Sequence, residues 1–304
     1  MSKLKGLVAA TAIGATTLFS GAAMADWTGT IGATSEYMFR GIASEAGAAV
    51  QGSLDYSHAS GMYAGAWASN ANPTGNAGGG NELDLYFGWA PELSNGIGLD
   101  FGLVYYAFTE DEENDIVIGG VPVSSIAFLP AAAGFDPIDD LNYFEIYAGV
   151  GVGPVSATLY YTDDYFGVDG HSTLAVNPAN NAAVIDPSTD GDAIYFTIDY
   201  TMTLKDTVDL TFQIGHSSGD GVEAFVGDDY TDWSITLAKD LGNGFGASFA
   251  YIQTDLDLNG TEGTVFGPGG LLSGPSAPAG AGPTTNEYTD DPKFVLTLTK
   301  DFDI

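Results

Sequence analysis

Apolar and polar residues alternate with a period of two along most of the chain, the mark of strands with two different faces. Between Ile194 and Met202, one face carries Ile194, Phe196, Ile198, Tyr200 and Met202, and the other Tyr195, Thr197, Asp199 and Thr201. The next segment repeats this, with Val208, Leu210, Phe212 and Ile214 set against Thr207, Asp209, Thr211 and Gln213. Twelve such segments are expected, near 27–39, 48–58, 62–70, 82–90, 97–108, 142–151, 154–165, 193–203, 206–216, 231–239, 245–255 and 293–302. Beyond residue 25 no run of 18 uninterrupted apolar residues occurs, so no transmembrane helix is expected.

The links between the segments sort themselves. Short ones (59–61, 91–96, 152–153, 204–205, 240–244) alternate with longer ones (40–47, 71–81, 109–141, 166–192, 217–230, 256–292). An even number of strands with short links on one side and long ones on the other predicts an all-β fold. The expected form is a transmembrane, antiparallel, up-and-down β-barrel of about 12 strands, with short periplasmic turns and long extracellular loops. A soluble sandwich gives no reason for loops to sort in this way.

Aromatic positions extend the pattern. Trp27, Tyr56, Tyr63, Trp89, Phe245 and Phe302 are expected at the periplasmic ends of outward faces, and Phe39 and Trp233 at the opposite rim. Amphipathic rings prefer the two membrane interfaces, so these positions predict two girdles. The final segment puts Phe294, Leu296, Leu298 and Phe302 on one face before Asp303 and Ile304. A terminal amphipathic strand of this kind is expected to be read by barrel-assembly machinery.

Residues 1–25 have the layout of an export signal: Lys3 and Lys5, an apolar stretch from Leu7 to Phe19, and Ala23-Met24-Ala25 as a small-x-small cleavage site. The expected organisation is a cleaved signal peptide over 1–25 and an outer-membrane barrel over 26–304, in a Gram-negative bacterium.

Charge narrows the function. The 304 residues include 7 Lys+Arg and 40 Asp+Glu, for a net charge of −33. That excludes a nucleic-acid partner, which needs a basic footprint. With no cysteine, disulfides, Cys-based zinc sites and thiol nucleophiles are excluded too. Past the signal the only basic residues are Arg40, Lys205, Lys239, Lys293 and Lys300.

With parity set by the apolar face, the inward positions include Glu36, Asp55, Asp84, Asp100, Glu145, Asp199, Asp209 and Asp232, together with Tyr86, Tyr106, Tyr147, Tyr160 and Tyr195. Acidic side chains lining a narrow passage concentrate cations and repel anions. Glu36, Asp84, Asp100, Glu145, Asp199 and Asp209 are the expected lumen charges, and Arg40 is the counter-charge that ties two or three of them together. Twelve strands lie between the side-chain-filled barrel of about 8 and the open channel of about 16–18, so either a modest pore or a loop plug is compatible.

Two long loops are unusual. Residues 109–141 open with an acidic cluster at Glu110 to Asp115 and then run apolar from Ile116 to Phe135, which suits a constriction at the mouth or packing against a neighbouring loop. Residues 256–292 contain a Gly/Pro/Ala/Ser-rich stretch at 264–285 that reads as a loop tip.

Asp255, Asp257 and Asn259 open like a calcium loop. Phe266 stands where the bidentate Glu belongs, so a strand end followed by an Asn-Gly turn is the expected structure and no metal is expected there. No cofactor is expected. Catalysis would require a Ser–His pair with an orienting third group. His58 and His216 sit near strand ends on the apolar parity, and His171 sits in a loop. Ser217 and Ser218 are strand neighbours of His216 and form no dyad with it, so no enzyme is expected.

The stretch Ser35 to Ile42, with its Y-x-F-R-G core, and the stretch Ala48 to Asn70 resemble the TorF family of porin-like proteobacterial proteins, long described as of unknown function. Glu82 to Gly88, Tyr143 to Gly149 and the closing Lys300-Asp301-Phe302 fit the same family. The resemblance covers most of the chain outside the long loops. It implies an outer-membrane barrel with pore function, and it implies neither a solute nor catalytic residues.

The leading expectation is passive diffusion of small cationic or neutral solutes, with a bias towards cations, by a barrel whose standing partner is outer-membrane lipid. The alternative is a non-conducting structural or surface-interaction barrel with acidic loops. A lipid-acting barrel enzyme stands third.

Overall fold

The computed structural model describes residues 26–43, 47–71, 81–109, 117–118, 121–122, 141–170, 173–177, 182–186, 190–205, 207–256 and 292–304. The expected signal peptide, Asp257, Asn259, and most of 109–141 and 256–292 lie outside the described residues.

Twelve strands close into one antiparallel barrel. They are β1 (Asp26–Thr34), β2 (Ala49–Ser57), β3 (Met62–Ser69), β4 (Glu82–Trp89), β5 (Ile97–Phe108), β6 (Tyr143–Val152), β7 (Val155–Thr162), β8 (Ala193–Lys205), β9 (Val208–Ser218), β10 (Tyr230–Gly242), β11 (Phe245–Thr254) and β12 (Lys293–Asp303). Each strand pairs with its chain neighbours, and β1 closes the sheet on β12 with Thr28 opposite Asp303 and Thr34 opposite Thr297. Closure leaves no edge strand, as a sheet in hydrocarbon requires.

The short links behave as expected. Between β10 and β11 the turn Asn243-Gly244 has φ of 55° and 76°, the left-handed pair that a tight hairpin turn needs. The opposite end differs. The first strand ends at Thr34 rather than near residue 39. Beyond it Tyr37, Met38 and Phe39 are buried, and Met38–Phe39 pairs with Ile42–Ala43 in a small separate hairpin. Its turn is Arg40-Gly41, with φ of 47° and 84°. The long connections at this end also carry a 3₁₀ turn (Tyr165–Gly167), helix α1 (Asp220–Val226) and two small hairpins, Val117–Ile118 with Val121–Pro122 and Thr173–Asn177 with Ala182–Asp186.

The outward faces are apolar. Ile31, Leu54, Leu85, Leu159, Ile198 and Leu298 are all exposed. Trp27, Trp89, Phe245 and Phe302 are exposed at the end of the barrel with the short turns, as a girdle there requires. Tyr63 does not join them: it is 8% exposed and points inward, because Met62 takes the outward position. Phe39 leaves the opposite rim for the interior, where it packs edge-on against Tyr106 and Phe166. Trp233 keeps the outward parity near that rim as expected, and paired rings there include Tyr105 with Phe144 and Tyr251 with Phe294, at 4.5 and 5.4 Å between centroids.

This belt makes a direct prediction. Ile235, exposed midway along β10, replaced by arginine should cost about 2–4 kcal/mol if its environment is hydrocarbon. The same change on a water-facing strand costs less than about 0.5 kcal/mol. Urea unfolding of the wild type and Ile235→Arg in lipid vesicles separates the two.

Candidate functional site

The inward faces carry carboxylates in two tiers. Strand direction places Glu82, Asp84, Glu145 and Asp232 towards the end with the long connections, and Asp55, Asp100, Asp199 and Asp209 towards the short turns. All four in the outer tier are at most 1% exposed. In the inner tier Asp100 is buried, while Asp55, Asp199 and Asp209 are half-buried.

Tyrosines hold two of the inner-tier carboxylates and threonines the other two. The Tyr63 hydroxyl donates to Asp100 Oδ1 at 2.7 Å and also meets the Tyr147 hydroxyl, and the Tyr86 hydroxyl donates to Asp55. Asp209 accepts from the Thr203 hydroxyl at 2.7 Å. These rings lie flat on the wall because their neighbours across the sheet are glycines. A β-carbon on Gly65, Gly88 or Gly102 would collide with the ring of Tyr86, Tyr63 or Tyr147 respectively. Glycine here lets an aromatic ring cover the backbone, and the hydroxyl then reaches a carboxylate.

The outer tier contains Arg40. The hairpin turn carries its guanidinium inward, where Nη2 contacts Glu145 Oε1 and Oε2 at 2.5 and 2.6 Å. The two side chains are 6% and 1% exposed. The guanidinium lies 4.6 Å from the Tyr195 ring centroid, 4.9 Å from Phe39 and 5.4 Å from Tyr160. The Tyr106 hydroxyl donates to Glu145 Oε2 at 3.1 Å. Arg40 therefore serves one carboxylate among the described residues, not the two or three expected.

Above this pair the barrel is packed with rings. Phe166 stacks on Phe225 of α1 at 4.0 Å and on Phe108 at 5.5 Å, and Tyr143 stacks on Tyr106 at 4.6 Å. The 3₁₀ turn, α1 and the Arg40 hairpin thus narrow the outer half, while the constriction or loop packing expected of 109–141 falls outside the described residues.

Of the expected lumen residues, Asp84, Asp100, Glu145, Asp199 and Asp209 face inward from strands, and Arg40 faces inward from the hairpin. Glu36 lies past the end of β1, half-buried, with its carbonyl accepting from the Thr34 hydroxyl at 2.8 Å. Glu82 and Tyr37 were not among the expected site residues. Glu82 shares the parity of Asp84, which is the signal that identifies it. Tyr37 donates to Glu82 Oε2 at 2.5 Å across 45 positions, and no local pattern encodes that contact.

Other chemistry is sparse. Asp255 Oδ1 accepts from the Thr231 backbone N–H at 2.6 Å, which makes it a strand-end cap. Outside the barrel wall, Asp190, Asp192 and Asp220 bring carboxylate oxygens within 4.8 Å of one another. Partial burial and then the charges of Asp190 and Asp220 raise Asp192 above the usual carboxylate range. His58 Nδ1 meets the Ser60 hydroxyl at 2.8 Å and the Ser60 N–H at 3.2 Å, a contact within one turn. His216 faces outward against Thr231 at 3.2 Å.

A family model described as a bacterial protein of unknown function (Gcw_chp) matches residues 20–265. No curated protein matches the sequence. Among solved structures, the KdgM porin is 7% identical at a TM-score of 0.45, with 90% of this chain and 99% of that chain covered. The NanC porin is 10% identical at 0.44, covering 91% and 100%. The COG4313 outer membrane channel from Pseudomonas putida F1 is 12% identical at 0.46, covering 93% and 96%. Likeness at this level carries no argument about a solute.

Proposed function

The chain belongs to the Gcw_chp family of bacterial proteins of unknown function, and from that premise we propose that it is an outer-membrane, porin-like channel passing small solutes by passive diffusion, with a preference for cations. The narrower kinship with TorF porins is part of the same proposal.

The observation that carries it is the inner tier. Asp55, Asp100, Asp199 and Asp209 line the half of the barrel nearer the short turns, and none takes part in an ion pair among the described residues. The interior arginine is committed to Glu145 in the outer half. An uncompensated acidic lining with low-dielectric walls raises the local cation concentration.

A closed barrel is favoured by one observation. Phe39, Tyr106, Phe108, Tyr143, Phe166 and Phe225 fill the outer half at 6% exposure or less. Planar-bilayer recording of the refolded protein across a KCl gradient tests both readings. Steady openings with a cation-selective reversal potential support the channel. Folded barrels that never open support the closed form, and an anion-selective reversal potential sinks the cation preference.

A further inference from the structure

Glu145 has a counter-charge; its carboxylate neighbours two strands along the same wall do not. Glu82 and Asp84 sit two positions apart on the inward face of β4, about 7 Å along the strand, and both are 0% exposed. Tyr37 donates to Oε2 of Glu82 at 2.5 Å. The two carboxyl groups come within hydrogen-bonding reach of each other, and no donor among the described residues serves Glu82 Oε1 or either carboxylate oxygen of Asp84, all three of them buried. Buried polar atoms are rarely left this way, and an unpaired buried carboxylate is among the costliest groups a fold can hold.

We propose that Glu82 and Asp84 together hold a hard divalent cation, with calcium the best fit, in the outer half of the barrel. One shared proton would satisfy Glu82 Oε1 and a single Asp84 oxygen, and leave the second Asp84 oxygen unserved. A cation can touch all three. Charge counting agrees: Glu82 and Glu145 are the carboxylates whose charges act on Asp84, and Arg40 neutralises one of the three. Two negative charges remain, which one divalent ion balances. The donors are all oxygens, which selects a hard ion. Magnesium dehydrates reluctantly, so a dry wall favours calcium. The Tyr37 hydroxyl fixes the Glu82 carboxylate, and Trp67, 6.4 Å from the Tyr37 ring, backs it. The inference goes beyond the channel reading and does not rest on it, because an open and a closed barrel need the same charge balance.

The test is thermal unfolding of the full-length protein, refolded in detergent after chelation, across a calcium chloride titration at ionic strength fixed with choline chloride. Wild type, Asp84→Asn and Glu82→Gln are compared. The wild-type melting temperature should rise and saturate with calcium, and both variants should lose the rise. Without calcium, Asp84→Asn should melt above wild type because a repulsion is gone, and at saturation the order should cross. An equal calcium response in all three proteins assigns binding to the exposed acidic loops and overturns the site. Variants that melt above wild type at every calcium concentration identify a shared proton and also overturn it. Should a variant fail to refold, terbium luminescence of the wild type, sensitised by Tyr37 and Trp67, decides. A signal displaced by one equivalent of calcium supports the site, and a signal that never saturates overturns it.

Discussion

Replacing Arg40 with methionine should destabilise the barrel by about 3–5 kcal/mol, because it leaves Glu145 buried at 1% exposure with no cation. Few surface positions in this fold are expected to approach that loss. The guanidinium also lies against the rings of Phe39, Tyr160 and Tyr195, so its removal loosens the hairpin that enters the outer half. The turn adds to this. Arg40 adopts φ 47°, an unfavourable region for a side chain with a β-carbon, and the ion pair is what offsets that cost. The double variant Arg40→Met/Glu145→Met should recover most of the stability, since replacing both partners of a buried pair with apolar groups is often neutral. Urea unfolding followed by tryptophan fluorescence gives both numbers. A single variant as stable as wild type would mean that the hairpin does not seat in the barrel. Where the channel opens, the single variant should also conduct more, because the hairpin narrows the outer half.

The barrel is legible in the sequence because one physical rule, period-two alternation between lipid and lumen, repeats in nearly every strand. It fails where the side chains of a strand do not mark its faces. In β3 the outward face is Met62, Ala64, Ala66 and Ala68, while the inward face carries Tyr63 and Trp67. There the aromatic residues line the lumen and small ones face out, so Tyr63 reads as a girdle residue although it serves Asp100. Phe39 fails for another reason: alternation continues past Thr34, but the chain has already turned inward towards Arg40-Gly41. Inward carboxylates follow from parity alone. Their partners do not. Arg40 reaches Glu145 across 105 positions and Tyr37 reaches Glu82 across 45, contacts fixed by where the hairpin enters the closed barrel. The ring packing of Phe166 on Phe225 likewise joins two separate connections, and no local pattern announces it.

Neutralising the inner tier should change selectivity without removing the barrel. In the variant Asp55→Asn/Asp100→Asn/Asp199→Asn/Asp209→Asn, each amide oxygen still accepts the bond that Tyr86, Tyr63, Thr197 or Thr203 donates. The tyrosines therefore stay flat over Gly65 and Gly88, and the width of the passage is kept. What disappears is four charges facing the lumen. A charged, low-dielectric passage raises counter-ion concentration by about tenfold or more, so the cation-to-anion permeability ratio should fall by about that factor. The reversal potential across a KCl gradient should move towards zero while openings persist. Asp190, Asp192 and Asp220 supply the control, because they cluster outside the barrel wall. Their field is screened within about 8–10 Å at moderate salt, so their replacement by asparagine should shift the reversal potential far less. If the two variants shift it equally, selectivity lies in surface charge at the mouth. If the inner-tier variant keeps the wild-type value, these aspartates do not line the ion path, and the tyrosines that hold Asp55 and Asp100 serve only to pack the wall.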